Sequence, residues 1–190
     1  MVGNTPNYSR FDVIRCFLRL GMKISRQQLT RELELGEGTV RSILDILKQR
    51  GFILSNTQGH ALAAKGLELD KKVASMVHVK PIQLALYPKS RSVAALVSSN
   101  ARITYENRDI AVKAGAQGAL IAQVRNHKLV RPDASVEQDF LILEKEFRLE
   151  DSEIMIITFS ESYRNSENAA LSVAASLNPE LGQLIAKNFS

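Results

Sequence analysis

The chain has 190 residues, 45% of them apolar and 24% charged, which leaves room for one large domain or two small ones with separate cores. No apolar run approaches the ~20 residues that cross a bilayer, and Met1–Pro6 lacks the basic and apolar regions of a signal peptide, so a cytoplasmic protein without membrane association is expected. The net charge of +5 is unevenly placed: residues 1–80 carry +6 and residues 81–190 carry −1, as expected if the N-terminal part alone meets phosphates.

The first predicted helix runs from Ser9 to Leu20, with Ser9 as N-cap, Asp12 three residues on as in a capping box, and Gly21 as the stop. Phe11, Ile14, Phe17 and Leu18 make its apolar face. The single cysteine, Cys16, permits no internal disulfide and reads as an inert core thiol. A second helix starts near Ser25 and turns Leu29 and Leu33 inward. After the break Leu35-Gly36-Glu37-Gly38, a third runs from Glu37 or Gly38 to Arg50, with Val40, Ile43, Leu44 and Leu47 on one face. Gly51 stops it. Phe52–Ser55 and His60–Ala63 read as a hairpin across Asn56-Thr57-Gln58-Gly59, and a fourth helix as Ala64 to Met76. Pro81 marks the expected boundary, giving domains 1–79 and 80–190.

In the second domain Ile82–Tyr87 and Val93–Ser98 read as strands, Tyr105–Ala114 as a helix closed by Gly115, and Ala119–Arg125 with Lys128–Val130 as a hairpin across Asn126-His127. Val136–Phe147 reads as a helix with Phe140, Leu143 and Phe147 inward, although Phe140–Leu143 also suits a strand. Glu153–Phe159 is the strongest strand, followed by a helix from about Ser166 to Leu177. The expected fold class is α+β: an N-terminal winged helix-turn-helix, then a two-layer α/β sandwich, with a mostly antiparallel sheet and helices on one face.

A helix-turn-helix needs a second helix with one buried and one free face. Burying Val40, Ile43, Leu44 and Leu47 leaves Glu37, Thr39, Arg41, Ser42, Asp45 and Lys48 outward. Thr39, Arg41 and Ser42 occupy the first turns, where a recognition helix reaches base edges, and Arg41 can donate two hydrogen bonds to a guanine. Asp45 is unfavourable beside phosphate, so contact is expected at the N-terminal end. Lys48 is a further candidate contact from the third helix, Asn56, Thr57, Gln58 and His60 are candidates from the hairpin, and Arg26 and Arg31 from the second helix. A solvated surface is the plainer reading of each residue alone.

The segments Ile24–Leu29, Gly38–Leu44, Lys48–Ile53 and His60–Gly66 together resemble the winged-helix cores of many prokaryotic transcription regulators. That resemblance implies a DNA-binding fold over residues 9–77. The family usually caps the last helix with Ser or Thr where this chain has Ala63, a change worth ~1 kcal/mol of helix stability. The two-domain layout, with Asp109–Ala119, is similar to a group of small archaeal winged-helix proteins. Their C-terminal domain, of unknown function, is similar to the two-layer inserted domain of bacterial-type aspartyl-tRNA synthetases. That likeness implies a fold and no activity.

No catalytic set is visible in the second domain. His60, His78 and His127 are far apart without metal-ligand spacing, and Gly115 and Gly118 belong to no Walker or dinucleotide pattern. Glu144, Glu146, Glu150, Asp151 and Glu153 read as solvated surface. Thr158–Ser166 joins the strongest strand to a helix N-terminus, where Ser160, Ser162, Arg164, Asn165 and Ser166 are candidates for a small-molecule or anionic effector. Ordinary helix capping is the plainer reading there. The expectation is a dimeric, non-enzymatic regulator that binds double-stranded DNA and has no cofactor, its second domain dimerising, sensing a ligand, or both. The alternative is a winged-helix adaptor in an RNA- or protein-handling complex.

Overall fold

The computed structural model describes residues 7–56, 59–130 and 137–190. The chain forms two compact units, Met1–Ala74 with Leu184–Ser190, and Ser75–Gln183. The division falls before residue 79, and the last seven residues belong to the first unit.

The first unit opens with α1 (Arg10–Leu18), continued by a 3-10 turn over Arg19–Gly21. The capping box forms: Ser9 N–H donates to Asp12 Oδ2 at 2.9 Å, and Ser9 Oγ accepts from Asp12 N–H at 3.3 Å. Ser25 Oγ likewise accepts from Gln28 N–H at 3.2 Å and starts α2 (Arg26–Leu33). Glu34, in the left-handed region at φ 55, turns the chain toward α3 (Glu37–Gln49). The four apolar residues assigned to the inner face of α3 are the buried ones. β1 (Ile53–Asn56) pairs antiparallel with β2 (Gly59–Leu62), and α4 (Ala64–Ala74) follows.

Helical periodicity misses one feature of this core. Arg15 is fully buried, donating to Asp12 Oδ1 at 3.3 Å and to the Leu33 carbonyl at 3.2 Å, so a guanidinium joins α1 to the C-terminal turn of α2. Cys16 is buried as expected, and loss of hydration pushes its thiol up to about 12. The end of α8 (Pro179–Phe189) completes the core: Phe189 is fully buried, its ring centroid 5.2 Å from Phe17 and 6.3 Å from Phe52.

The second unit is a five-stranded sheet in the order β3-β4-β7-β5-β6, every neighbouring pair antiparallel. Its strands are β3 (Val77–Ile82), β4 (Arg91–Ser98), β5 (Gly118–Arg125), β6 (Lys128–Leu129) and β7 (Glu153–Ser160). The first strand is therefore Val77–Ile82 and not Ile82–Tyr87. Pro81 lies within it, tolerated because β3 is an edge strand where a missing N–H breaks no ladder.

The two-layer expectation also fails. The central strands β4 and β7 are buried on both faces, as runs such as Val93–Val97 and Ile154–Thr158 demand. α5 (Tyr105–Lys113) and α7 (Tyr163–Leu177) cover one face, and α6 (Glu137–Glu146) the other. Phe140, Leu143 and Phe147 pack there against Ala94, Leu96, Met155 and Ile157, while Leu141 and Ile142 stay exposed. That alternation also resolves residues 140–143 as helix.

Candidate functional site

The candidate surface is assembled where three segments of the first unit meet. Ile24, just before α2, bridges to His60 on β2: Ile24 N–H donates to the His60 carbonyl at 3.1 Å, and His60 N–H returns a bond to the Ile24 carbonyl at 3.0 Å. Gly59 makes this approach possible. Its φ is +132, and a Cβ there would lie 2.7 Å from the Ile24 oxygen. The hairpin is thereby fastened beside the N-terminus of α2.

His60 is the centre of this arrangement. Its Nδ1 lies 2.8 Å from Ser55 Oγ across the hairpin. Partial burial, then the charges of Arg26 and Lys48, hold its pKa below the ordinary histidine value. Arg26 from the start of α2, Lys48 from the last turn of α3 and His60 from β2 thus share one electrostatic neighbourhood, though they are far apart in sequence.

The remaining candidates divide. Arg41 and Ser42 are exposed on α3, and Arg41 projects from the same side as Lys48, seven positions on. Ser42 Oγ donates to the Gly38 carbonyl at 3.1 Å, leaving its lone pairs outward. Thr39 is half-buried rather than fully outward. Arg31 is exposed but, five residues after Arg26, points ~140° away from it around α2. Asn56 ends β1 and is exposed. Thr57 and Gln58 lie outside the described residues. Lys48, a candidate on the outward face of α3, stands seven positions after Arg41 and adds its charge to the surroundings of His60.

The effector candidates of the second unit have other roles. α7 begins at Tyr163, not Ser166, and its N-cap is Ser162, whose Oγ accepts from Asn165 N–H at 3.1 Å. Ser160 is buried and donates to the Ser162 carbonyl at 2.6 Å. Ser166, fully buried, donates to the Arg91 carbonyl at 2.6 Å, with the Ser160 hydroxyl 3.0 Å away. Asn165 is exposed, its side chain close against Gly115, and Arg164 is half-buried. These hydroxyls fasten α7 to β4 and β7, which is the capping reading. His127 is exposed, with Nδ1 3.0 Å from the Leu149 carbonyl. Among the described residues no cluster of His, Cys, Asp or Glu could hold a metal ion. No helix among them is long and apolar enough to cross a membrane.

The architecture is that of a two-unit α+β protein, and comparison with known proteins agrees over both units. Residues 11–68 match the model of the PH0730-like N-terminal domain, and residues 89–177 match a domain of unknown function, DUF4443. The chain is similar to a solved archaeal structure, the hypothetical protein PH0730 from Pyrococcus horikoshii OT3. The two are 28% identical with a TM-score of 0.78, covering 94% of this chain and 100% of that one. No curated protein matches the chain.

Proposed function

We propose that the first unit is a winged helix-turn-helix that binds double-stranded DNA, and that the protein is a non-enzymatic transcription regulator. In this reading α2 and α3 form the helix-turn-helix, α3 enters the major groove, and the β1–β2 hairpin is the wing. The observation that carries it is the bridge between Ile24 and His60, which sets the hairpin beside the N-terminus of α2, together with the exposed face of α3 that carries Arg41, Ser42 and Lys48. A cationic group beside a hairpin and a groove-sized helix with a polar outer side are the two halves of duplex recognition, phosphate positioning and base reading.

Roles follow from placement. Arg26 and Lys48 neutralise phosphates, and Arg41 donates to a base edge. His60, neutral when free of DNA, hydrogen-bonds to the backbone. Because one small reading head gives limited selectivity, the protein acts as a dimer on paired half-sites.

Fluorescence anisotropy with a labelled duplex, over a salt series, tests this reading. Binding should weaken steeply as salt rises, and Arg26→Ala with Lys48→Ala should reduce the slope of log affinity against log salt by about 2. A slope unchanged by the double substitution, or no duplex binding at low salt, would favour an adaptor that docks on another macromolecule.

A further inference from the structure

The second unit carries a feature that the DNA-binding reading leaves unused. Two adjoining hollows of 410 and 440 Å³ share Arg102 and Ile103 in their walls. The first adds Tyr105 and Arg108 from α5, and the second adds Gln123 and Arg125 from β5. Among the described residues, every charged one lining the pair is an arginine, although residues 81–190 as a whole carry a net charge of −1. Among the described residues no carboxylate pairs with any of the three. Arg125 is oriented by a 2.8 Å bond to Gln123 Oε1. Arg125 and Gln123 also line a third hollow with Asp151 and Glu153, whose carboxylates accept from the backbone N–H groups of His127 and Glu150.

Three guanidinium groups around these adjoining hollows repel one another, and among the described residues no ion pair offsets that repulsion. An anion does, and guanidinium forks match phosphate oxygens two at a time. The apolar part of the lining adds a second requirement. Tyr105 is 85% exposed, a large aromatic surface with no partner among the described residues, and Ile103 and Ile121 are in the lining. Flat aromatic groups stack on such surfaces.

We infer that this double hollow is a nucleotide site, in which Arg102, Arg108 and Arg125 hold phosphate while Tyr105 and Ile103 face the base. The same chemistry is offered by a free nucleotide and by a single nucleic-acid strand. The site rests on residues of the second unit alone and stands or falls independently of duplex binding by the first.

Isothermal titration of the full chain with adenosine triphosphate, a six-nucleotide single strand, adenosine and inorganic triphosphate tests it. The triphosphate nucleotide or the strand should bind more tightly than adenosine or inorganic triphosphate, and whichever of the two binds better identifies the source. Arg102→Ala with Arg108→Ala should weaken that binding more than about tenfold, since each charge-assisted bond contributes substantially. Both side chains are exposed, so the fold should persist. The loss on Arg102→Ala with Arg108→Ala should be the same whether or not Arg26→Ala and Lys48→Ala are also present, which separates this site from the first unit. No binding by nucleotide or strand, indifference to the Arg102 and Arg108 substitutions, or equal affinity for inorganic triphosphate would overturn the inference.

Discussion

The carbonyl oxygen of Phe52 stands against Gly66 so closely that a Cβ at Gly66 would lie 2.1 Å from it. The oxygen is pinned there, accepting the Ala63 N–H at 2.9 Å, so neither β1 nor α4 can yield without losing a bond. Gly66→Ala should therefore cost about 3 kcal/mol by urea denaturation. Gly21→Ala, with nothing within 4 Å, should stay within about 0.5 kcal/mol. Equal effects would mean that this contact is relaxed in solution.

The buried pair of Asp12 and Arg15 predicts an asymmetry. Asp12→Ala removes the carboxylate and leaves a fully buried guanidinium, a change that should cost about 3–5 kcal/mol. Adding Arg15→Met to Asp12→Ala removes the stranded charge and should recover part of that loss. A double variant less stable than the single one would show that Arg15 stabilises mainly through the Leu33 carbonyl.

Phe189 tests the place of the last helical turn in the first unit. Its ring fills the space beside Phe17 and Phe52, and Phe189→Ala should destabilise that unit by about 3–5 kcal/mol. Arg50, which donates to the Lys187 carbonyl at 3.4 Å and to the Ser190 carbonyl, is mostly a surface clasp. Arg50→Ala should cost less than about 1 kcal/mol.

The depressed pKa of His60 gives stability a sign with pH. The fold favours the neutral ring, so the contribution is present above the ordinary value of 6.5 and is lost as pH falls through the lower folded value. Thermal denaturation should show the wild type losing stability over that range, and His60→Gln should flatten the profile. Bound phosphate acts the other way: by offsetting the charges of Arg26 and Lys48 it raises the His60 pKa, so duplex affinity should increase as pH falls. A wild type and variant with identical pH profiles would remove His60 from both roles.

The first unit is legible in the sequence because local signals there agree with one another. Ser9 and Ser25 cap the helices they precede, the period of Val40, Ile43, Leu44 and Leu47 fixes the buried side of α3, and Gly51 at φ +73 ends it. What was lost depended on neighbours distant in sequence. Pro81 looked like a boundary because its tolerance rests on an edge position that only the sheet order reveals. The burial of Arg15 has no local signal, because charge is rarely buried without a partner and its partners lie on two helices. α8 went unassigned although Leu181, Leu184 and Ile185 repeat at helical spacing after Asn178, whose Oδ1 accepts the Leu181 N–H at 3.0 Å. The start of α7 lies three residues before the expected one because Ser162, Asn165 and Ser166 are all competent caps. In the candidate site each cation was visible singly, but the meeting of Arg26, Lys48 and His60 depends on the bridge between Ile24 and His60.

The central claim is that α3 reads duplex DNA, and the most direct measurement is selection from a random-sequence duplex pool at two salt concentrations, with sequencing of the bound fraction. The account predicts an enriched motif with two-fold symmetry, affinity that falls as salt rises, and a loss of ~1–3 kcal/mol of discrimination at one base pair on Arg41→Ala. A bound pool with no enriched motif, unchanged by Arg41→Ala, would contradict it.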